Sequence, residues 1–368
     1  MEQKLKIAML GQRDSLSECG GVEVVTHELS RRMAALGHSV TLFNRYRSFL
    51  DEHELTEHEG VRFRYVPGLP LRGAEAAVSS LRASLRAAFG SYDVVHIHSE
   101  GPAAFCLLPK LMGKKVVVTI HGLDHRRAKW GKFASFYLRL GEKNAARYAD
   151  QIIVLSQNIQ QYFTETYGRD TVFLPNGLPE MKEAPVEGFD GLEKDGYFLF
   201  LGRLVPEKGL MTLLDAFRQV QTDRKLVIAG ANCDTDDFAL QLRKKADPRV
   251  IFTGEVHGEK KTALLTGARA YILPSEVEGM PLSLLEALGN GLCCVTSDIP
   301  ECAEVVKEYG LTFPVGDTAS LTAILERLDR DDEAVSFWRK KAHAFPREYY
   351  EWDYITEKTL ELYQKGSK

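Results

Sequence analysis

The stretch FLFLGRLVPEKGLMTLLDAFRQV, residues 198–220, decides how this chain is built. Its opening residues, Phe198–Leu201, are apolar on both faces, which suits a parallel strand covered by helices on each side. A charged turn follows with Gly202, Arg203, Pro206, Glu207, Lys208 and Gly209. Leu210–Val220 then has helical periodicity. Strand, loop and helix in that order begin a βαβ unit, and open parallel sheets bind ligands at the carboxyl ends of their strands. Arg203 and Lys208 stand at such an end, where two cations beside a helix N-terminus make a diphosphate clamp. The competing reading of this loop is a plain solvated charged turn.

The same signal repeats in both directions. Leu226–Ala229, Val250–Phe252, Tyr271–Leu273 and Cys294–Thr296 read as strands, with helices between them such as Leu282–Leu288. Toward the start of the chain, Lys6–Leu10 is an apolar strand and a helix runs from about Val22 to Leu36, with Val25, Leu29, Met33 and Leu36 on one face. Gly37 stops that helix and Val40–Phe43 is the next strand. Val94–Ile97, Val116–Ile120, Ile152–Leu155 and Val172–Leu174 continue the series. Residues 178–195 are polar, charged and turn-rich, and read as a linker. The expected fold class is therefore α/β, with two Rossmann-like doubly wound domains over residues 1–180 and 195–345. Strand carboxyl ends of each are expected to face a cleft that holds the ligand. Trp352–Tyr363 reads as a final amphipathic helix.

Bulk properties narrow the function. A chain of 368 residues exceeds one ordinary core. With 44% hydrophobic and 27% charged residues it is globular, and a net charge of -4 argues against a general nucleic-acid binder. Cys19, Cys106, Cys233, Cys293, Cys294 and Cys302 form no C-x-x-C pair and no zinc-spaced cluster. They read as buried apolar residues of a reducing compartment. From this reading neither a signal peptide nor a bilayer-length apolar run is expected. The expectation is a cytoplasmic protein, with any membrane contact peripheral.

The remaining candidates sit at strand ends. Gly20-Gly21 opens the first helix, where glycine lets backbone approach a ligand and free N–H groups attract phosphate. The dinucleotide fingerprint G-x-G-x-x-G is absent, which disfavours a nicotinamide or flavin enzyme. His121-Gly122 follows Val116–Ile120 and can donate to a sugar hydroxyl or phosphate, while His96 and His98 read as structural. The segment PSEVEGMPLSLLEA, residues 274–287, is the most specific. Glu278-Gly279 turns tightly, Pro281 is placed at the first helical position, and the N–H groups of Met280, Leu282 and Ser283 are free for phosphate or sugar oxygens. Glu286 lies among Leu284, Leu285, Ala287 and Leu288 and needs a partner, for which ribose hydroxyls serve. No Asp-x-Asp stands ready to hold a cation, and Asp234–Asp237 reads as a helix cap. Metal ligands are expected to be none, and cofactors none.

Taken together, these segments resemble the retaining glycosyltransferases of family four, which have the GT-B fold. The matching pieces are Gly20-Gly21-Val22-Glu23, Gly37-His38-Ser39-Val40, Val118-Thr119-Ile120-His121-Gly122, Pro175-Asn176-Gly177, Gly202-Arg203 with Lys208-Gly209, and Glu278 with Glu286, seven residues between them. They follow the family's order over nearly the whole chain. The resemblance implies that Arg203 and Lys208 bind a donor diphosphate, Glu286 the ribose and Glu278 the donor sugar. It implies that Gly21 approaches the diphosphate and His121 the transferred sugar. It also implies retention at the anomeric carbon, no metal requirement, and a C-terminal helix, residues 350–368, crossing back to the first domain. A uridine-diphosphate sugar is the expected donor. The turn Ala229-Gly230-Ala231-Asn232-Cys233 departs from the family's acidic pattern, which puts that contact in doubt. A nucleotide-sugar epimerase of the same fold and a non-catalytic binding module are the alternatives.

The expected acceptor side is the first domain. After His121 comes a basic and aromatic stretch: His125, Arg126, Arg127, Lys129, Trp130, Lys132, Phe133, Phe136, Tyr137, Arg139, Lys143 and Arg147. Upstream stand Arg72, Arg82 and Arg86. Cations interleaved with aromatics suit an anionic membrane surface or a lipid-linked saccharide acceptor. The alternative is that Trp130, Phe133 and Tyr137, at helical spacing, are simply core.

Overall fold

A computed structural model describes residues 4–16, 20–46, 55–69, 75–127, 130–178, 189, 191–231 and 236–365. The chain divides into two compact units, Met1–Gly177 with Tyr349–Lys368, and Leu178–Glu348.

The first unit is built on eight strands: β1 Lys6–Leu10, β2 Ser39–Tyr46, β3 Glu57–His58, β4 Val61–Pro67, β5 Val94–His98, β6 Lys115–Ile120, β7 Gln151–Val154 and β8 Val172–Phe173. They lie in the order β3-β4-β2-β1-β5-β6-β7-β8. All neighbours are parallel except the short β3–β4 pair at one edge. Buried Ile7, Met9, Val95, Ile97, Val116 and Val118 show why: strands apolar on both faces are stable only between two helical layers. β4 differs, alternating buried Val61 and Phe63 with exposed Arg62 and Arg64. It and the helix Glu75–Phe89 lie in a stretch to which no element is assigned from periodicity alone.

The C-terminal helix Trp352–Gln364 belongs to this first unit and packs on the helix Gly21–Ala35. Arg32 Nε donates to Asp353 Oδ1 at 2.8 Å. Trp352 covers Gly177 so closely that a Cβ there would lie 2.2 Å from the indole, so no larger residue fits.

The second unit carries β9 Tyr197–Leu201, β10 Lys225–Ala229, β11 Val250–Gly254, β12 Ala270–Leu273, β13 Cys293–Ser297 and β14 Leu311–Phe313. All are parallel, in the order β11-β10-β9-β12-β13-β14. The order reverses at β9/β12 here and at β1/β5 in the first unit, and those switch points are where doubly wound sheets open a ligand crevice. Helices Thr318–Arg330 and Asp332–His343 close the unit, capped by the side chains of Asp317 and Asp331.

Cys106, Cys293, Cys294 and Cys302 are free and buried, and burial pushes the Cys106 and Cys293 thiols up to about 12, which leaves them unreactive. Cys19 and Cys233, most of the linker, and Asn232–Thr235 lie outside the described residues. No helix among the described residues is long and apolar enough to cross a membrane.

Candidate active site

In the second unit, the carboxyl ends of β9 and β12 bring the sequence-derived residues together. After β9 the chain makes a 3-10 turn, Pro206–Lys208, and enters the helix Leu210–Gln219 through Gly209. Gly209 is left-handed at φ +65°, and a Cβ there would lie 1.9 Å from the Pro274 carbonyl oxygen just past β12. Only glycine lets the two strand-end loops touch. Glu276 N–H donates to the Glu207 carbonyl at 2.9 Å, which fixes that contact.

Because the loops touch, Lys208 reaches Glu278. Lys208 Nζ donates to Glu278 Oε1 at 2.5 Å, and Ser275 Oγ donates to the same oxygen at 2.6 Å. Their side chains are 12% and 9% exposed, so the pair is largely shielded from water. Glu278 Oε2 has no partner among the described residues. Arg203 is half-buried and its side chain has no partner among the described residues.

Glu286 is on the helix Leu282–Gly289 and is buried, with Lys261 Nζ donating to its Oε1 at 2.9 Å. The partner that its apolar setting demands is thus a lysine from the helix Gly258–Gly267. Its Oε2 has no partner among the described residues. Pro281 is the N-cap rather than the first helical residue, because at ψ 110° it is still extended. The amides of Leu282 and Ser283 therefore open the helix, and helix-opening amides lack an intrahelical acceptor. Ser283 Oγ receives the Tyr271 hydroxyl at 2.7 Å, which holds that first turn on β12. Gly279 and Met280 are buried in the loop between.

In the first unit, Gly20 caps the helix that Gly21 begins, and Glu23 in its first turn accepts the Arg13 amide at 3.0 Å. Gly11, left-handed at φ +121°, lets β1 end against β5: a Cβ there would lie 2.1 Å from the His98 carbonyl oxygen. His121 stands at the end of β6. Behind it runs a buried chain of imidazoles. His98 Nδ1 lies 3.0 Å from His121 Nε2, and the rings of His96 and His98 stack at 4.1 Å. His96 is held by the Tyr363 hydroxyl at 2.6 Å and Thr119 Oγ1 at 2.7 Å. The structural reading of His96 and His98 fits this burial, but the link to His121 was not legible from their spacing.

Burial holds all three rings neutral: His121 is lowered to about 4, His96 to about 3 and His98 well below its ordinary value. His98 Nε2 is buried without a partner among the described residues. An orphaned lone pair is tolerated more readily than an orphaned N–H, so His98 carries its hydrogen on Nδ1 and gives it to His121 Nε2. His121 then bears its own hydrogen on Nδ1.

The alternative reading of Phe133 as core is overturned. The helix Lys132–Tyr148 buries Leu138, Gly141, Glu142 and Ala145. Phe133 is 85% exposed and Phe136 66%, with Leu140 on the same stripe and Lys132, Arg139 and Lys143 exposed around it. Tyr137 turns inward and donates to the Gly101 carbonyl at 2.7 Å. Arg82 and Arg86 donate to the Pro67 and Tyr65 carbonyls of β4 at 2.8 and 3.0 Å, while Arg72 and Lys129 lie outside the described residues.

Two Rossmann-like units with these strand-end residues define a GT-B glycosyltransferase, and comparison with known proteins agrees. Residues 19–180 match the family described as Glycosyltransferase Family 4, and residues 187–345 that described as Glycosyl transferases group 1. The chain belongs to glycosyltransferase family four. It is 27% identical to a glycogen synthase of Mycobacterium tuberculosis over 94% of this chain and 91% of that one. It is also 27% identical to the GDP-mannose:cellobiosyl-diphosphopolyprenol alpha-mannosyltransferase of Xanthomonas oryzae pv. oryzae, covering 79% and 78%. In fold it is similar to sucrose-phosphate synthase from Thermosynechococcus elongatus, with a TM-score of 0.83, 19% identity and 98% and 99% coverage. Anabaena HepE in complex with UDP-glucose gives 0.78, with 17% identity and 97% and 98% coverage.

Proposed function

We propose that this glycosyltransferase transfers a sugar, with retention, from a uridine-diphosphate donor to a saccharide acceptor carried on a lipid at an anionic membrane surface. The carrying observation is the Lys208–Glu278 pair and an Arg203 side chain with no partner among the described residues. Arg203, Lys208 and the amides of Gly279, Leu282 and Ser283 offer the diphosphate positive charge and N–H donors at two touching strand ends. Glu278 Oε2 is open to accept from a sugar hydroxyl, and Glu286 Oε2 from the ribose. The family pattern adds Gly20, Gly21 and His121 of the first unit, the last as a neutral donor through Nδ1–H. UDP and UDP-glucose, the ligands named for HepE, favour uridine.

In the step we propose, the bond from the anomeric carbon to the diphosphate oxygen breaks. The acceptor oxygen bonds that carbon on the same face, and its proton passes to the leaving phosphate. No protein base or cation is needed, because the cationic loop meets the developing charge. Transfer therefore proceeds with a chelator present, and complete loss that manganese restores would overturn this.

A thermal-shift screen of nucleotide sugars, followed by NMR of the product's anomeric proton, tests the reading, since a bound donor raises stability with the logarithm of its saturation. A donor turned into its epimer without acceptor would make the protein an isomerase, and an inverted product would remove retention.

The exposed Phe133, Phe136 and Leu140 stripe ringed by cations supports the membrane-borne acceptor. Sedimentation with anionic vesicles at low salt should retain wild type and lose a variant with Phe133 and Phe136 changed to Ser. If wild type ignores those vesicles, a soluble acceptor replaces this part of the reading.

A further inference from the structure

One buried cluster in the first unit has no part in that chemistry. It joins Glu100 at the start of the helix Glu100–Ala103, His125 in the 3-10 turn Asp124–Arg126, and Glu142 in the helix Lys132–Tyr148. The side chains of the two glutamates are fully buried and that of His125 is 5% exposed. Each offers one ligand atom, and these atoms lie within 4.8 Å of one another.

How these atoms are used elsewhere matters most. Glu100 Oε1, His125 Nδ1 and Glu142 Oε1 face one another, and each is buried without an aligned hydrogen bond. His125 Nδ1 does contact Glu142 Oε1, yet as a charge contact rather than along the ring's N–H axis. The other carboxylate oxygens are held from outside. Tyr162 and Tyr167 hydroxyls donate to Glu142 Oε2 at 2.9 and 3.0 Å, and the His125 backbone N–H donates to Glu100 Oε2 at 3.3 Å. Outer donors that fix the far side of each ligand, while the near sides converge unsatisfied, are the arrangement a metal site requires.

Two buried carboxylates and one imidazole must be charge-balanced. Without a cation protons do this, and hydrogen bonding to the two glutamates raises His125 to about 9 while burial raises Glu100 to about 8. A divalent cation would take the place of those protons.

We propose that Glu100, His125 and Glu142 bind one divalent transition-metal cation. One imidazole nitrogen and two carboxylate oxygens suit Zn2+, and three protein ligands leave a position for water. The cation ties the turn that follows His121-Gly122 to two helices. It touches none of the residues assigned to the donor, so its loss shows in stability rather than in the chemistry of transfer.

The test uses the full chain, stripped with chelator, then equilibrated with Zn2+ and passed over a desalting column. Wild type should retain one Zn2+ per chain and melt at a higher temperature than the stripped protein. Glu100→Gln and His125→Gln should each bind at least about tenfold more weakly. Retention of no Zn2+ by wild type, or equal retention by both variants, overturns the proposal and leaves a proton shared among the three groups. Should the variants not fold, Co2+ in wild type decides. The proposal expects visible d–d absorption that Zn2+ bleaches, and a spectrum no different from Co2+ in buffer contradicts it.

Discussion

At the strand ends of the second unit, Glu278 and Glu286 each meet a lysine ammonium, whereas in the first unit His121 is backed by neutral imidazoles with no counter-charge. The difference lies in what each arrangement can exchange. A lysine–carboxylate pair that keeps one oxygen open holds its geometry before a ligand arrives and can then bind a hydroxyl without rebuilding. The imidazole chain exchanges nothing and fixes which nitrogen of His121 carries the hydrogen. Changes in the second unit should therefore act on donor handling, and changes behind His121 on tautomer and acid stability.

The largest effect is expected at Glu278. Glu278→Gln keeps the shape but weakens the contact with Lys208 and the sugar, and turnover should fall about hundredfold, the scale for losing one preorganised electrostatic contact. Glu286→Gln should instead raise the donor KM, about tenfold, with kcat little changed, because a ribose contact is the same in ground and transition states. Steady-state kinetics on both variants checks this, and a reversed pattern would mean the two roles are exchanged.

The smaller effect separates the units by pH. His121, His96 and His98 have folded-state pKa values depressed below the ordinary 6.5. The unfolded chain therefore takes up protons that the folded chain refuses. Their contribution is complete above about pH 6.5 and is lost as pH falls toward 4. His98→Asn removes one of these groups and should make the acid side of the stability curve shallower by about 1.4 kcal/mol per pH unit. Urea unfolding at a series of pH values reads this slope, and a slope equal to wild type would mean the ring is not held neutral.

Much of the architecture was legible because a buried parallel strand announces itself as a short apolar run, and β1, β5, β6, β9 and β12 all do. β4 is a half-exposed strand with period-two burial, which a search for continuous apolar runs passes over. The placement of Arg203, Lys208 and Glu278 was legible because each follows a strand end directly. Lys261 was not, since a lysine on a helix looks the same whether it meets solvent or Glu286 25 residues away. Tyr363 and His96 meet across 267 residues, and Glu100, His125 and Glu142 across three elements, distances that no local periodicity encodes. Phe133 had helical spacing with Trp130 and Tyr137 suited to a core, and only the position of the buried face, set by Leu138, Gly141 and Ala145, shows that it points outward.

The most direct measurement is calorimetric titration of uridine diphosphate into wild type, Arg203→Ala and Lys208→Ala. Removing either cation should weaken binding by about 1.5–3 kcal/mol, the range for hydrogen bonds to charged groups, or roughly 10- to 150-fold in Kd. Unchanged affinity in both variants would contradict the assignment of this loop to the donor diphosphate.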